Sequence, residues 1–174
     1  MKGKIALEEH FATEEYLQDV KRYFIHEGAE VWERCVKGYW GWHANLGTQV
    51  LCLISSGIFD RCPKLQIVIG HMGEMLPIFL WRITNRCNTH KRDCMAELPI
   101  NQYFQRNISI ITSGNCNTPA LMCAMMEMST DRIMFSTDYP YESMKQAADW
   151  FDNIPFSDID KMKMGVQMQP NCSS

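Results

Sequence analysis

Glu8 and His10 stand two residues apart at the end of an apolar run, Lys4-Ile5-Ala6-Leu7. In an extended strand such residues share a face while Glu9 points the other way, so the pair forms a pincer of carboxylate oxygen and imidazole nitrogen. Those donors suit Zn²⁺, Mn²⁺ or Fe²⁺. Further polar clusters follow later apolar runs: Gly70-His71-Met72-Gly73-Glu74, Thr112-Ser113-Gly114-Asn115 and Ser136-Thr137-Asp138. Taken singly, each has an ordinary structural reading. Glu8 and His10 read as a surface carboxylate beside a histidine, His71 as a core histidine satisfied by backbone, and Asp138 as a helix cap. Their shared position points to chemistry, because each follows the carboxyl end of a strand, the edge where ligand sites of α/β proteins collect.

The elements that must position these residues are legible in the periodicity. Segments rich in Ile, Val and Leu alternate with amphipathic stretches, which predicts strand-helix-strand units carrying a parallel sheet. Strands are expected over Lys4 to Leu7, Leu65 to Ile69, Asn107 to Ile111 and Asp131 to Phe135. Helices are expected over about Leu46 to Ser56, stopping at Gly57, then Glu74 to Arg86, Thr118 to Met128 with Pro119 in its first turn, and Glu142 to Phe151. The stretch from Phe11 to Trp42 has no sustained period and predicts a short helix near Thr13 to Phe24, then irregular chain. The polar tail from Met164 to Ser174 contains Pro170 and is expected to fray. No repeat or linker divides the chain, so residues 1–174 read as one domain or part of one.

The chain has 174 residues, 46% apolar and 21% charged with a net charge of −3, the composition of a soluble globular protein. It lacks the basic run that nucleic acid or anionic lipid would require, so neither is an expected partner. No apolar run approaches the roughly 18 residues of a membrane helix. Glu8, Glu9 and His10 fall where a signal peptide is still apolar, which predicts a cytoplasmic protein. The eight cysteines contain no C-x-x-C pair and are read as reduced thiols, several of them in the core.

Six segments in order carry a family resemblance: Ala6-Leu7-Glu8-Glu9-His10-Phe11, Ser56-Gly57-Ile58-Phe59-Asp60, Pro63-Lys64-Leu65, Gly70-His71-Met72-Gly73-Glu74 with Leu76-Pro77 and Trp81-Arg82-Ile83, Thr112-Ser113-Gly114-Asn115, and Phe135-Ser136-Thr137-Asp138-Tyr139-Pro140-Tyr141-Glu142. Together they resemble the amidohydrolase-related, metal-dependent decarboxylases, nearest the 2,3-dihydroxybenzoate and γ-resorcylate decarboxylases. The resemblance implies a (β/α)₈ TIM barrel of the metal-dependent hydrolase superfamily. It implies one divalent metal, Zn²⁺ or Mn²⁺, bound by Glu8, His10 and Asp138. It implies His71 as the catalytic histidine, Glu74 as its partner, and a small aromatic carboxylic acid as substrate. Whether His71 or Asp138 delivers the proton stays open at this stage.

A barrel of this kind takes about 250 residues and at least about 200, more than the 174 present. The resemblance jumps from the first strand to a late part of the barrel, so about four parallel strands are expected to remain. The fifth-strand His-Pro-Arg-like segment, which supplies another metal ligand in the family, is missing. His26 and His43 are the histidines nearest the gap, and neither is expected to replace that ligand. Asn45 and Gln49 stand where the family usually has Glu and His. Three expectations follow: a decarboxylase on a partial barrel, an inactive relative, or a fragment that works by pairing with another subunit, with homo-oligomerisation as the remedy for open sheet edges. Metal-dependent hydrolysis of a small lactone or amide is the alternative within enzymes.

Overall fold

In the computed structural model, residues 4–7, 40–90 and 94–166 are described, the first four by backbone alone. Glu8, Glu9, His10, His26, the expected helix near residues 13–24 and the tail beyond residue 166 lie outside the described residues. The strands are β1 (Lys4–Leu7), β2 (Gln66–Ile69), β3 (Ile108–Ile111) and β4 (Ile133–Met134). They form one parallel sheet in the order β1-β2-β3-β4. Leu7 pairs with Ile69, Ile69 with Ile110, and Ile110 with Ile133, so the carboxyl ends of all four strands meet at one edge. The described residues thus form a four-stranded parallel sheet backed by helices.

The helices are α1 (Gly41–Ser55), α2 (Ile58–Arg61), α3 (Leu76–Thr89), α4 (Ile100–Arg106), α5 (Thr118–Met128), α6 (Met144–Asn153) and α7 (Asp158–Val166). None is long and apolar enough to cross a membrane. The α5 helix occupies the expected range, capped by Asn117, whose side chain accepts the Ala120 N–H at 2.9 Å. The α1 helix starts five residues before expectation, and Gly47 is buried on the face that also carries Val50 and Ile54. Glycine there hides the helical period from a reading based on apolar side chains. The α4 helix was not anticipated, although Ile100, Tyr103 and Phe104 follow helical spacing and are all buried.

One face of the sheet carries Ile67, Ile69, Ile108, Ile110 and Ile133, each at most 2% exposed. They form the core with Val50, Ile54, Leu80, Leu121 and Met128 from the helices. The alternate set, Gln66, Val68, Ser109, Ile111 and Met134, is half-buried and occupies the opposite face. Strand β4 is shorter than the expected Asp131 to Phe135. Thr130–Arg132 makes a 3₁₀ turn, and the Phe135 N–H donates to the Met164 carbonyl of α7 at 3.0 Å instead of continuing the ladder. At the amino edge Arg132 donates to Gln66 Oε1 at 2.9 Å and to the Arg106 carbonyl at 2.8 Å, tying the lower ends of the strands together. The described cysteines Cys52, Cys62, Cys87, Cys94, Cys116 and Cys123 are free thiols as expected. None of the six is fully buried, which corrects their placement in the core: they sit on helices and loops that cover it.

Candidate functional site at the carboxyl edge

The segment after β2 is a left-handed turn, and the α3 helix starts only after it, at Leu76 and not at the expected Glu74. His71, Met72, Gly73, Glu74 and Met75 all have positive φ, between 46° and 78°. Side chains other than glycine pay about 1–2 kcal/mol each in this region, so surrounding structure must enforce the run. Gly73 is the pivot. A Cβ there would lie 2.9 Å from Ile110 Cγ2 and 3.2 Å from Pro77 Cδ. The Gly73 N–H donates to the Gly70 carbonyl at 2.8 Å, and a Cβ on Gly47 of α1 would lie 3.5 Å from the Glu74 carbonyl oxygen. The turn brings His71 and Glu74, three residues apart, onto one side.

Glu74 is 1% exposed at its side chain, and both carboxylate oxygens are engaged. His71 Nδ1 lies 2.5 Å from Oε1, and His43 Nδ1 bonds to Oε2. Burial pushes the Glu74 carboxyl up in pKa, but hydrogen bonds and charge from both histidines outweigh it and hold the carboxyl below its usual value. With Glu74 ionised, each imidazole, neutral or protonated, is assigned a proton on Nδ1. His71 then aims Nε2 at Asp138, whose Oδ2 is 3.8 Å away.

Asp138 is held from the neighbouring loops. Ser113 donates to its Oδ1 at 3.0 Å. Thr112 Oγ1 donates to the Ser136 carbonyl at 2.7 Å and accepts the Ser136 N–H at 2.8 Å, clamping the ends of β3 and β4 together. Thr112 and Ser113 are buried. Asp138 itself has φ 64°, and a Cβ at Gly114, φ 67°, would come within 3.0 Å of its Oδ2. Glycine therefore keeps a cradle clear around that oxygen.

The structure thus joins His71, Glu74 and Asp138 at one edge, as their positions after strands predict. The described β1 backbone ends at Leu7, in register with Ile69 at the same edge, while Glu8 and His10 lie outside the described residues. His43, set aside in the sequence, is brought to Glu74 across 31 positions. Its only sequence signal was a histidine near the amino end of an amphipathic helix. Asn45 and Gln49 pair with each other on α1 at 3.1 Å, on the side away from the core.

Residues 9–166 match the amidohydrolase family. The chain belongs to that family. Its relatives include γ-resorcylate decarboxylase of Polaromonas sp., 42% identical over 128 residues, an alignment covering 72% of this chain and 39% of the relative. The chain thus spans about two fifths of the length of the curated relatives it matches, at 39% of the γ-resorcylate decarboxylases. Among solved structures, 2,6-dihydroxybenzoate decarboxylase from Rhizobium superposes with a TM-score of 0.81 at 34% identity, covering 94% of this chain and 49% of that one. A dihydroxybenzoic acid decarboxylase from Polaromonas sp., solved with manganese and 2-nitroresorcinol, gives 0.75 at 38% identity, covering 85% and 43%. The amidohydrolase barrel is therefore the fold, present here as a partial wall of four parallel strands.

A divalent metal fits the described part of the edge. Asp138 offers an oxygen in the cradle left by Gly114, and its carboxylate suits a hard cation such as Mn²⁺.

Proposed function

We propose that this chain carries the proton-transfer edge of a metal-dependent hydroxybenzoate decarboxylase, acting without oxidation on a small aromatic acid. The observation that carries the reading is His71 placed between two carboxylates, Glu74 on Nδ1 and Asp138 facing Nε2. A proton moves to the ring carbon that bears the carboxylate, the bond to the carboxylate breaks, and its electron pair restores the aromatic ring as CO₂ leaves. His71 is the proposed donor, because ionised Glu74 supports the imidazolium form and fixes the ring so that Nε2 faces the edge. Ser113 keeps Asp138 turned towards His71. Glu8, His10 and Asp138 are the proposed metal ligands, and a bound ion there would supply Lewis-acid stabilisation of charge on the substrate's oxygens. The names of the relatives support the substrate class.

The test is CO₂ release from 2,6- and 2,3-dihydroxybenzoate with Mn²⁺ or Zn²⁺, beside a panel of lactones and amides. Turnover of a hydroxybenzoate that disappears in His71→Asn while the metal that depends on His10 is kept supports the assignment. Hydrolysis of a lactone or amide, with no CO₂ from any hydroxybenzoate, would replace decarboxylation by the hydrolase reading.

A further inference from the structure

We propose that His43, His71 and Glu74 hold a divalent cation of the Zn²⁺ type, at a position separate from the ion proposed at Glu8, His10 and Asp138. One donor atom from each of the three residues lies within 4.8 Å of the other two. Two imidazole nitrogens and one carboxylate oxygen are a set that Zn²⁺ takes readily, with coordination positions left over for water or a ligand. The two rings are 5.8 Å apart and nearly perpendicular, at 85°, so they approach the carboxylate from different directions and do not stack.

The surroundings meet the other requirements of a metal site. An ion needs an entry path, and His43 is 30% exposed at its side chain while His43 and Glu74 both line a cavity of about 440 Å³ walled by Leu51, Leu76, Phe79 and Ile83. Histidine ligands commonly give their second ring nitrogen to a carboxylate, and His71 Nε2 faces Asp138 Oδ2 at 3.8 Å, with Asp138 itself pinned by Ser113. The rigid left-handed turn fixes the spacing of His71 and Glu74, and the packing of α1 on that turn delivers His43. Loading needs no net proton release from neutral rings. On each histidine the proton moves from Nδ1 to Nε2, the hydrogen bond to Glu74 gives way to coordination through Nδ1, and His71 Nε2–H then points at Asp138. Occupancy would thus exchange the tautomer of the same histidine on which the proposed decarboxylation relies.

The site does not depend on that reaction, and variants private to each ion separate the two. The metal-free chain is titrated with Zn²⁺ by calorimetry, and with Co²⁺ by visible absorption. His43→Gln keeps an N–H for Glu74 but removes the imidazole, while His10→Gln touches only the other proposed ion. The expected result is a Zn²⁺ affinity at least about tenfold weaker in His43→Gln, with this binding retained in His10→Gln. In the wild-type chain, Zn²⁺ should move the ¹⁵N resonance of His43 Nδ1, a readout that needs no variant to fold. Zn²⁺ binding that is equal in wild type and His43→Gln, or an unmoved His43 Nδ1 resonance, overturns the proposal whatever His10→Gln does. Loss in His43→Gln with none in His10→Gln supports this site and removes the metal from the proposed reaction centre instead.

Discussion

Glu74 concentrates the energetic demands of the site in one carboxylate. It is almost fully buried, and it is tolerated because a histidine Nδ1 serves each of its oxygens. Glu74→Gln keeps the shape but turns an NH₂ group towards one of those donors, leaving a buried polar conflict that costs about 1–3 kcal/mol. Denaturant melts of the metal-free chain should show that loss, and His43→Gln should lose less, because it retains a donor. At Asp138 the expectation concerns metal. Asp138→Ala should lower bound Mn²⁺ or Zn²⁺ well beyond Glu9→Ala, whose side chain is expected on the opposite face of the first strand. Equal metal contents by elemental analysis would refute that assignment.

Elements hold these residues through conformations that few sequences adopt. The run of positive φ from His71 to Met75 survives because β3 and Pro77 close around Gly73. In Gly73→Ala the new methyl meets Ile110 and Pro77, and the expected loss is about 2–4 kcal/mol, from the backbone and the overlap together. A thermal melt close to wild type would show that the turn is softer than its contacts imply. Helix α4 supplies a second lock away from the site. Tyr103 is buried, donates to Asp60 Oδ1 at 2.6 Å and accepts the Leu98 N–H at 3.0 Å. Burial and the hydrogen bond to Asp60 push its pKa up to about 12. The folded state therefore holds the phenol proton more tightly than the unfolded chain does. That contribution is fully present below the usual tyrosine value near 10 and is lost as pH rises towards about 12. Alkaline unfolding followed by circular dichroism should show it, with a shallower dependence in Tyr103→Phe.

At the scale of the molecule, the half-buried face of the sheet and the outer face of α3 set the behaviour. Ile78, Phe79 and Trp81 are 68%, 49% and 73% exposed on one helix. Among the described residues, the half-buried strand face carrying Val68, Ile111 and Met134 has no facing wall like that of a closed barrel. We expect the chain made alone to self-associate and to release little or no CO₂ from hydroxybenzoates. Size-exclusion chromatography with light scattering and a CO₂ assay check both, and a metal-loaded monomer with rapid turnover would sink the expectation.

The amino-acid sequence by itself determined the strand-helix alternation, the edge at which chemistry gathers, and the types of residue there, because these follow local periods and turn chemistry. The α5 helix and the strands before His71, Thr112 and Ser136 are legible for that reason. Tertiary structure alone decided the left-handed path through His71 and Glu74, since only packing against Ile110, Pro77 and Gly47 offsets its backbone cost. It also decided the partner of Glu74. His43 reaches that carboxylate across 31 positions because helix α1 lies against the turn, and no local pattern encodes a contact made by two elements meeting in space.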